Sequence, residues 1–478
     1  MRRVPAFRTP ARRCNCCSAA EGRERRLRRG FYTDDSMSYT AAIDELNAMV
    51  AELYTRPGQA RRKFSLDEIR VLLGELGDPH LRFRAVLIAG TNGKGSTAAS
   101  LASILSASGM RTGLYTSPHL ASANERIRVD GAEIADDSFA ALYFRVHDAA
   151  QQLVQSSRLA QLPSFFEVLT AMAFLHFAQV GVEIAVVEVG MGGRLDATNI
   201  LEPLLSVITD ISLDHTEWLG STIAAITREK AGILRPGGAL ITLPQHPEAN
   251  QVLGEEAARL NVRGVSAAAY MPLDATVVGP YFLEVLGQGI EIDSPLTGAH
   301  QHRNLALAVA AAVELAGKPG FPVTPASIAA GIRETQWPGR LEHIRRDGVE
   351  WILDVAHNPA GAWALRAGLK DAIDEGRPRT LVFSCLRDKP LTEMAQILFM
   401  LFDQVIVVPM HTARATGLDD LLAAATATGT PAVGAESVAQ ALELAQERAQ
   451  GGVIVVSGSV YLVGEVRSML LAGREEQP

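Results

Sequence analysis

From about residue 83 the chain alternates two kinds of apolar pattern. Short runs rich in Val, Ile and Leu are "FRAVLIAG" at 83–90, "RTGLYTS" at 111–117, "EIAVVEVG" at 183–190 and "LLSVITDI" at 204–211. Each has the length of a buried strand. Between them, "STAASLASILSASG" at 96–109 and "FFEVLTAMAFLHFAQVG" at 165–181 read as helices. Continuous apolar strands separated by helices predict an α/β fold with a mostly parallel sheet covered on both faces. The alternation resumes after residue 340 with "EWILDVA", "RTLVFSC", "DQVIVVPM" and "GGVIVVSGS" as strands. A helix entered through Gly298, "LTGAHQHRNLALAVAAAVELAG", lies between the two series. The turn "TQWPGRLE", with Pro338 and Gly339, is the expected domain boundary.

Length agrees with more than one core, since the chain has 478 residues and a mass of 51.2 kDa. A formal charge of -8 and a pI near 5.8 give no general reason to hold nucleic acid, so a small-molecule partner is expected. Charged residues interrupt every apolar run before membrane-spanning length, which predicts no membrane partner. Cys14, Cys16, Cys17 and Cys385 make neither a disulfide framework nor a zinc spacing, and a reducing, cytoplasmic setting is expected. Residues 1–36 are rich in arginine and have no apolar signal core. They read as an Arg-rich transit peptide, a disordered tail or an extension upstream of a start at Met37.

The segment "AGTNGKGST" at 89–97 follows a strand and opens a helix. Gly90, Gly93 and Gly95 allow backbone N–H groups to approach an anion, the helix N-terminus adds positive potential, and Lys94 adds a full charge. Ser96 is a candidate magnesium ligand. Its spacing is shorter than that of the common phosphate-binding loop, and an extra glycine separates Lys94 from Ser96. Ser117, Glu188 and His215 follow or end three other strands, the edge where open α/β sheets hold ligands. Each alone is ordinary; together they suit a hard cation beside a phosphate. Lys230 ends a helix, where a lysine also meets the helix dipole favourably.

These motifs together resemble the folylpolyglutamate synthase and dihydrofolate synthase family of the Mur ligase superfamily. The resemblance rests on "GTNGKGS", "YTSPHL" with "NERI", "FFEVLTAMAF", "EVGMGGRLDATN", "LDHTEWLG", "EKAGI", "GAHQHRN", "WPGRLE", "DVAHNPAG" and "SGSVYLVGEVR", in that order from roughly residue 40 to 470. It implies a P-loop, mostly parallel ATPase domain at 37–338 and a smaller Rossmann-like α/β ligase domain at 339–478. The implied enzyme phosphorylates a pterin-linked carboxylate with ATP, and the amine of L-glutamate then displaces phosphate. The acceptors are dihydropteroate, giving dihydrofolate, and tetrahydrofolates with their polyglutamate tails. Thr91, Asn92, Gly93, Lys94, Gly95 and Ser96 would cradle the ATP phosphates, Asn304 would meet the adenine side, and Arg340 and Asp354 would contact ATP from the second domain. Ser117, Glu188 and His215 would hold Mg2+. Lys230, carboxylated on its amine, would hold a second ion. Lys94, Lys230 and His357 are the implied catalytic groups. Phe64, Ser65, Ser164, Phe165, Phe166, Glu167, Leu195, Asp196 and Ala197 would contact the pteroate. The working unit implied is a cytoplasmic monomer.

Three positions depart from the family pattern. Val355 stands where glycine is common, Ser212 replaces a frequent glycine before "LDH", and Pro390 follows Lys389 where an acid is common. Two other readings make distinct predictions. A cell-wall Mur-type peptide ligase would carry a UDP-binding domain before the loop, and a non-catalytic nucleotide-binding regulator would have lost the metal set.

Overall fold

The computed structural model describes residues 37–52, 65–274, 277–372, 376–412, 414–449 and 451–472. Two sheets carry the chain. The first is eight-stranded, with β1 Arg84–Ala89, β2 Thr112–Tyr115, β3 Ile127–Val129, β4 Ala132–Glu133, β5 Ile184–Glu188, β6 Leu205–Ile208, β7 Ala239–Thr242 and β8 Arg263–Ser266 in the order β4-β3-β2-β5-β1-β6-β7-β8. All its pairings are parallel except β2 with β3 and β3 with β4. A separate antiparallel hairpin pairs β9 Tyr281–Val285 with β10 Gln288–Ile292.

The second sheet is six-stranded. Its members β11 Glu342–Arg346, β12 Val349–Leu353, β13 Arg379–Phe383, β14 Gln404–Val407, β15 Ala432–Gly434 and β16 Val453–Ser457 run in the order β11-β12-β16-β13-β14-β15. Only β11 is antiparallel to its neighbour.

The apolar runs are continuous because both faces of each central strand are covered. Along β1, Ala85, Leu87 and Ala89 enter one core while Val86 and Ile88 enter the core on the opposite face. Along β16, Val453 and Val455 divide from Ile454 and Val456 in the same way. Side chains alternate across a strand, so a one-residue slip would exchange the two cores. Burying each Val, Leu or Ile contributes about 1.5–3 kcal/mol, which fixes the strand ends that carry the polar groups.

The helix Lys94–Ala107 follows β1, Phe165–Val180 precedes β5, and Ala299–Ala316 begins after Gly298 at φ 94. No helix among the described residues is long and apolar enough to cross a membrane.

Candidate functional site

The loop after β1 is held by the segment after β6, the strand beside it. The Thr91 and Asn92 N–H groups donate to the Asp210 carbonyl at 2.8 and 3.2 Å. Thr91 Oγ1 and the Ser212 backbone exchange two bonds, each 3.1 Å, and Asn92 Nδ2 donates to Ser212 Oγ at 3.1 Å. Ser212 thus ties the loop through a hydroxyl that glycine lacks. Gly93 caps the helix at φ 84, and a Cβ there would lie 2.1 Å from Asn304 Oδ1. A Cβ on Gly95 would lie 2.7 Å from the Trp337 indole. Close packing requires both glycines, and the turn also requires Gly93. Asn304 Nδ2 donates to Gln301 Oε1 at 2.8 Å, which aims its oxygen at the loop.

Lys94 Nζ donates to the Thr91 carbonyl at 3.2 Å and stands 3.8 Å from Glu188 Oε1. Ser96 is 1% exposed, and its hydroxyl has no hydrogen-bond partner among the described residues. Such an orphan in the first turn of a helix is a vacant oxygen donor.

Glu188 ends β5, in register with Ile88 of β1. Its Oε2 accepts from the Ser117 N–H at 3.1 Å. Burial pushes the Glu188 carboxyl up, opposed by Lys94, the Ser117 N–H, Arg340 and Arg126. His215 sits at φ 49 before the short helix Thr216–Leu219, and burial outweighs nearby Asp214 to bring its imidazole down to about 4. It is therefore neutral at neutral pH. Lys230 is buried in the last turn of Ile223–Ala231, and its Nζ donates to the Gly90 carbonyl at 2.7 Å. Burial, then Lys94, lower its ammonium to about 7.

Among the described residues, no three His, Cys, Asp or Glu side chains form a metal cage. The donors at this edge are instead mixed: the Glu188 carboxylate, the neutral His215 ring, and the Ser96 and Ser117 hydroxyls. That set fits magnesium delivered with a phosphate, because such an ion keeps waters and substrate oxygens and needs few protein ligands. A buried carboxylate whose nearest cation is 3.8 Å away also gains from added positive charge.

The second sheet supplies a facing group. Asp354 Oδ2 accepts from the Leu341 N–H at 3.0 Å, and Oδ1 from the Ala356 N–H at 2.9 Å. The intervening Val355 donates its own N–H to the Gly339 carbonyl at 3.0 Å, so the turn is formed without glycine at that position. Arg340 lies within electrostatic reach of both Asp354 and Glu188. The ring of His357 is bonded through Nδ1 to the Val355 carbonyl at 2.9 Å, and burial, reinforced by Lys389, holds it down to about 4. Ser117, Glu188, Arg128, Trp337, Arg340 and Val355 line one cavity between the two sheets.

Residue patterning alone did not assign three further contacts. Lys389 Nζ donates to Asp214 Oδ1 at 2.7 Å, and Asn358 Nδ2 donates to Asn92 Oδ1 at 3.0 Å and to Asp214 Oδ2 at 3.4 Å. The acid in "LDH" beside His215 was the available signal; its lysine lies 175 positions away.

The expected pteroate residues divide between buried and accessible positions. Ser164 and Glu167 satisfy one another in a capping box at the start of Phe165–Val180, with Ser164 Oγ donating to Glu167 Oε2 at 2.6 Å. Phe165 and Phe166 are both half-buried, so neither ring belongs wholly to the core. Asp196 is buried, accepting from the Met191 and Thr198 N–H groups at 3.0 Å, while Leu195 is exposed and Ala197 buried. The Ser65 hydroxyl caps Leu66–Glu75, and Phe64 lies outside the described residues.

The chain is similar to known proteins along most of its length. Residues 88–312 match the Mur ligase middle domain, and residues 339–460 match the Mur ligase glutamate ligase domain. The chain is 34% identical over 423 residues to the dihydrofolate synthase/folylpolyglutamate synthase of Bacillus subtilis, covering 85% of this chain and 95% of that one. It superposes on Mycobacterium tuberculosis folylpolyglutamate synthase complexed with ADP with a TM-score of 0.81 at 34% identity, covering 90% and 99% of the two chains. For Escherichia coli FolC in complex with DHPP and ADP, the TM-score is 0.76 at 28% identity, with 91% and 98% covered.

Proposed function

The chain belongs to the folylpolyglutamate synthase and dihydrofolate synthase family of Mur ligases, and from that premise we propose how its own residues join glutamate to a folate. It is an ATP-dependent folate glutamate ligase. The finer reading is bifunctional: L-glutamate is added both to dihydropteroate and to tetrahydrofolate tails.

In this reading the pteroate lies along Phe165, Phe166 and the loop 195–197, with its carboxylate toward the helix Lys94–Ala107. The unpaired N–H groups at the head of that helix, together with Lys94, hold the ATP phosphates. Arg340 and Asp354 close over the nucleotide from the second sheet, and Asn304 lies on its adenine side. Attack of the carboxylate oxygen on the γ-phosphorus gives an acyl phosphate and ADP. Amine attack on that carbonyl then forms the amide and expels phosphate. Neither step needs a protein nucleophile; positioning and charge neutralisation carry the reaction. His357, fixed through its Nδ1–H, presents Nε2 as the acceptor for a proton that the glutamate ammonium loses before its neutral amine attacks.

Magnesium bound at Glu188, His215 and the serine hydroxyls would offset charge on the phosphoryl oxygens. A second ion needs an anionic ligand that Lys230 becomes if its amine takes up CO2. Its lowered pKa supports this, because only the neutral amine reacts. Nucleotide-facing groups from both sheets come from one chain, which supports a monomer as the working unit.

The observation that carries this reading is the buried Ser96 hydroxyl, unpartnered among the described residues and two positions after Lys94, whose Nζ stands 3.8 Å from Glu188. Replacing Ser96 by alanine should lower magnesium-dependent phosphate release while leaving the fold intact. Unchanged turnover would refute the assignment.

A further inference from the structure

Arg126 is 7% exposed, and among the described residues the one hydrogen bond of its guanidinium joins Nε to His119 Nδ1 at 2.9 Å. No carboxylate among the described residues forms an ion pair with it. Glu125, its neighbour, is committed to the Leu120, Ala121 and Ser122 N–H groups at 2.7, 2.7 and 2.8 Å. Nearby Arg128 provides the contrast, because it is paired with Glu133 at 3.0 Å and packed on Trp337. A largely buried guanidinium with no carboxylate partner is stabilised by the arrival of an anion.

Its position identifies that anion. The guanidinium carbon lies 5.3 Å from the centre of the half-buried Phe165 ring, and the group is within electrostatic reach of Glu188. Arg126 therefore stands between a surface suited to a flat aromatic ligand and the phosphoryl-transfer edge. A pteroate spanning that interval carries one charge there, its aryl carboxylate.

We infer that Arg126 is a specificity-determining residue, its two Nη groups receiving the aryl carboxylate of the pteroyl acceptor and presenting it to ATP. The inference rests on the folate-ligase reading. The bond to His119 through Nε fixes the plane of the fork, and Phe165 packs against its face. A planar fork matches a carboxylate in two places, which an ammonium does not. Arg126 thus distinguishes the acid from a neutral pterin of the same shape.

The test measures dissociation constants for dihydropteroate and its carboxamide in the presence of ADP, using wild type, R126Q and R126K. Wild type should prefer the acid by about tenfold or more, the value of a charge-assisted hydrogen bond. R126Q should lose that preference by weakening the acid alone, with R126K intermediate and ADP affinity unchanged within about twofold. Equal weakening of acid and amide in R126Q, or a wild type that does not discriminate between them, would overturn the role of Arg126. R126K, which keeps the charge, carries the same comparison if R126Q fails to fold. A wild type that binds neither compound yet binds ADP would overturn the folate reading itself, and the inference with it.

Discussion

Lys389 and Asp214 form an ion pair at 2.7 Å between the segments that follow β13 and β6, with side chains only 7% and 10% exposed. Burial opposes ionisation of Asp214, yet His215 and Lys389 together hold its carboxyl well below the usual range. Asn358 reaches the same carboxylate and also the phosphate loop through Asn92. One acid therefore joins the second sheet to the loop. Lys389 has this partner even though Pro390 replaces the acid that usually follows it.

Breaking this pair from one side should be more harmful than removing it. Lys389→Met leaves a buried carboxylate and should lower stability by about 3–5 kcal/mol, whereas adding Asp214→Asn should recover most of the loss. Urea unfolding monitored in both variants checks this. A double variant no more stable than the single would exclude the ion pair as the cause.

The same pair sets a pH window. Because the folded Asp214 pKa is depressed, its stabilising contribution is complete above the unfolded value of about 4 and is lost progressively as pH falls from there through the lower folded value. The stability gap between wild type and Lys389→Met should be full at pH 7 and close on acidification below about pH 4. A constant gap from pH 7 to pH 3 would contradict the assignment.

Ser96→Ala removes a buried hydroxyl that has no hydrogen-bond partner among the described residues. Thermal stability should change by less than about 0.5 kcal/mol, while kcat at saturating ATP falls about tenfold or more and the magnesium requirement rises. Calorimetry and a magnesium titration of phosphate release distinguish the two effects. Loss of stability with normal turnover would make Ser96 structural.

Lys230, with a pKa near 7, should be mostly free amine at pH 8 and mostly ammonium at pH 6. Carboxylation from 13C-bicarbonate, read as a carbamate signal by NMR, should therefore be strong at the higher pH and fade at the lower. Lys230→Ala should lose both signal and activity, with some activity returned by acetate. No carbamate signal at pH 8 would remove the second-ion role.

Ser212→Gly restores the residue common in the family and deletes the bond to Asn92. One net hydrogen bond contributes about 0.5–1.5 kcal/mol, so KM for ATP should rise between about twofold and tenfold. An unchanged KM would mean that the loop does not depend on that hydroxyl.

The central strands were legible because each is buried on both faces and reads as an unbroken apolar run, as β1 and β16 do. The phosphate loop was legible because glycine, lysine and serine act locally, within one turn. The short β3 and the exposed two-residue β4 offered no comparable pattern, since their pairing is set by neighbours. Lys389 with Asp214 and Arg126 with His119 were not legible for a related reason. The first pair is assembled only by folding over 175 positions, and the second shows itself only through the partners Arg126 lacks. Family resemblance implied the roles proposed for Glu188, His215 and Lys230; the structure added their burial and the charges around them.

The most direct test is a product assay. Purified protein is given ATP, magnesium and L-glutamate with either dihydropteroate or tetrahydrofolate, and products are resolved by mass. Each acceptor should gain glutamate, with one phosphate released for each amide formed. ATP binding with no added glutamate and no phosphate from either acceptor would contradict the assignment as a folate glutamate ligase.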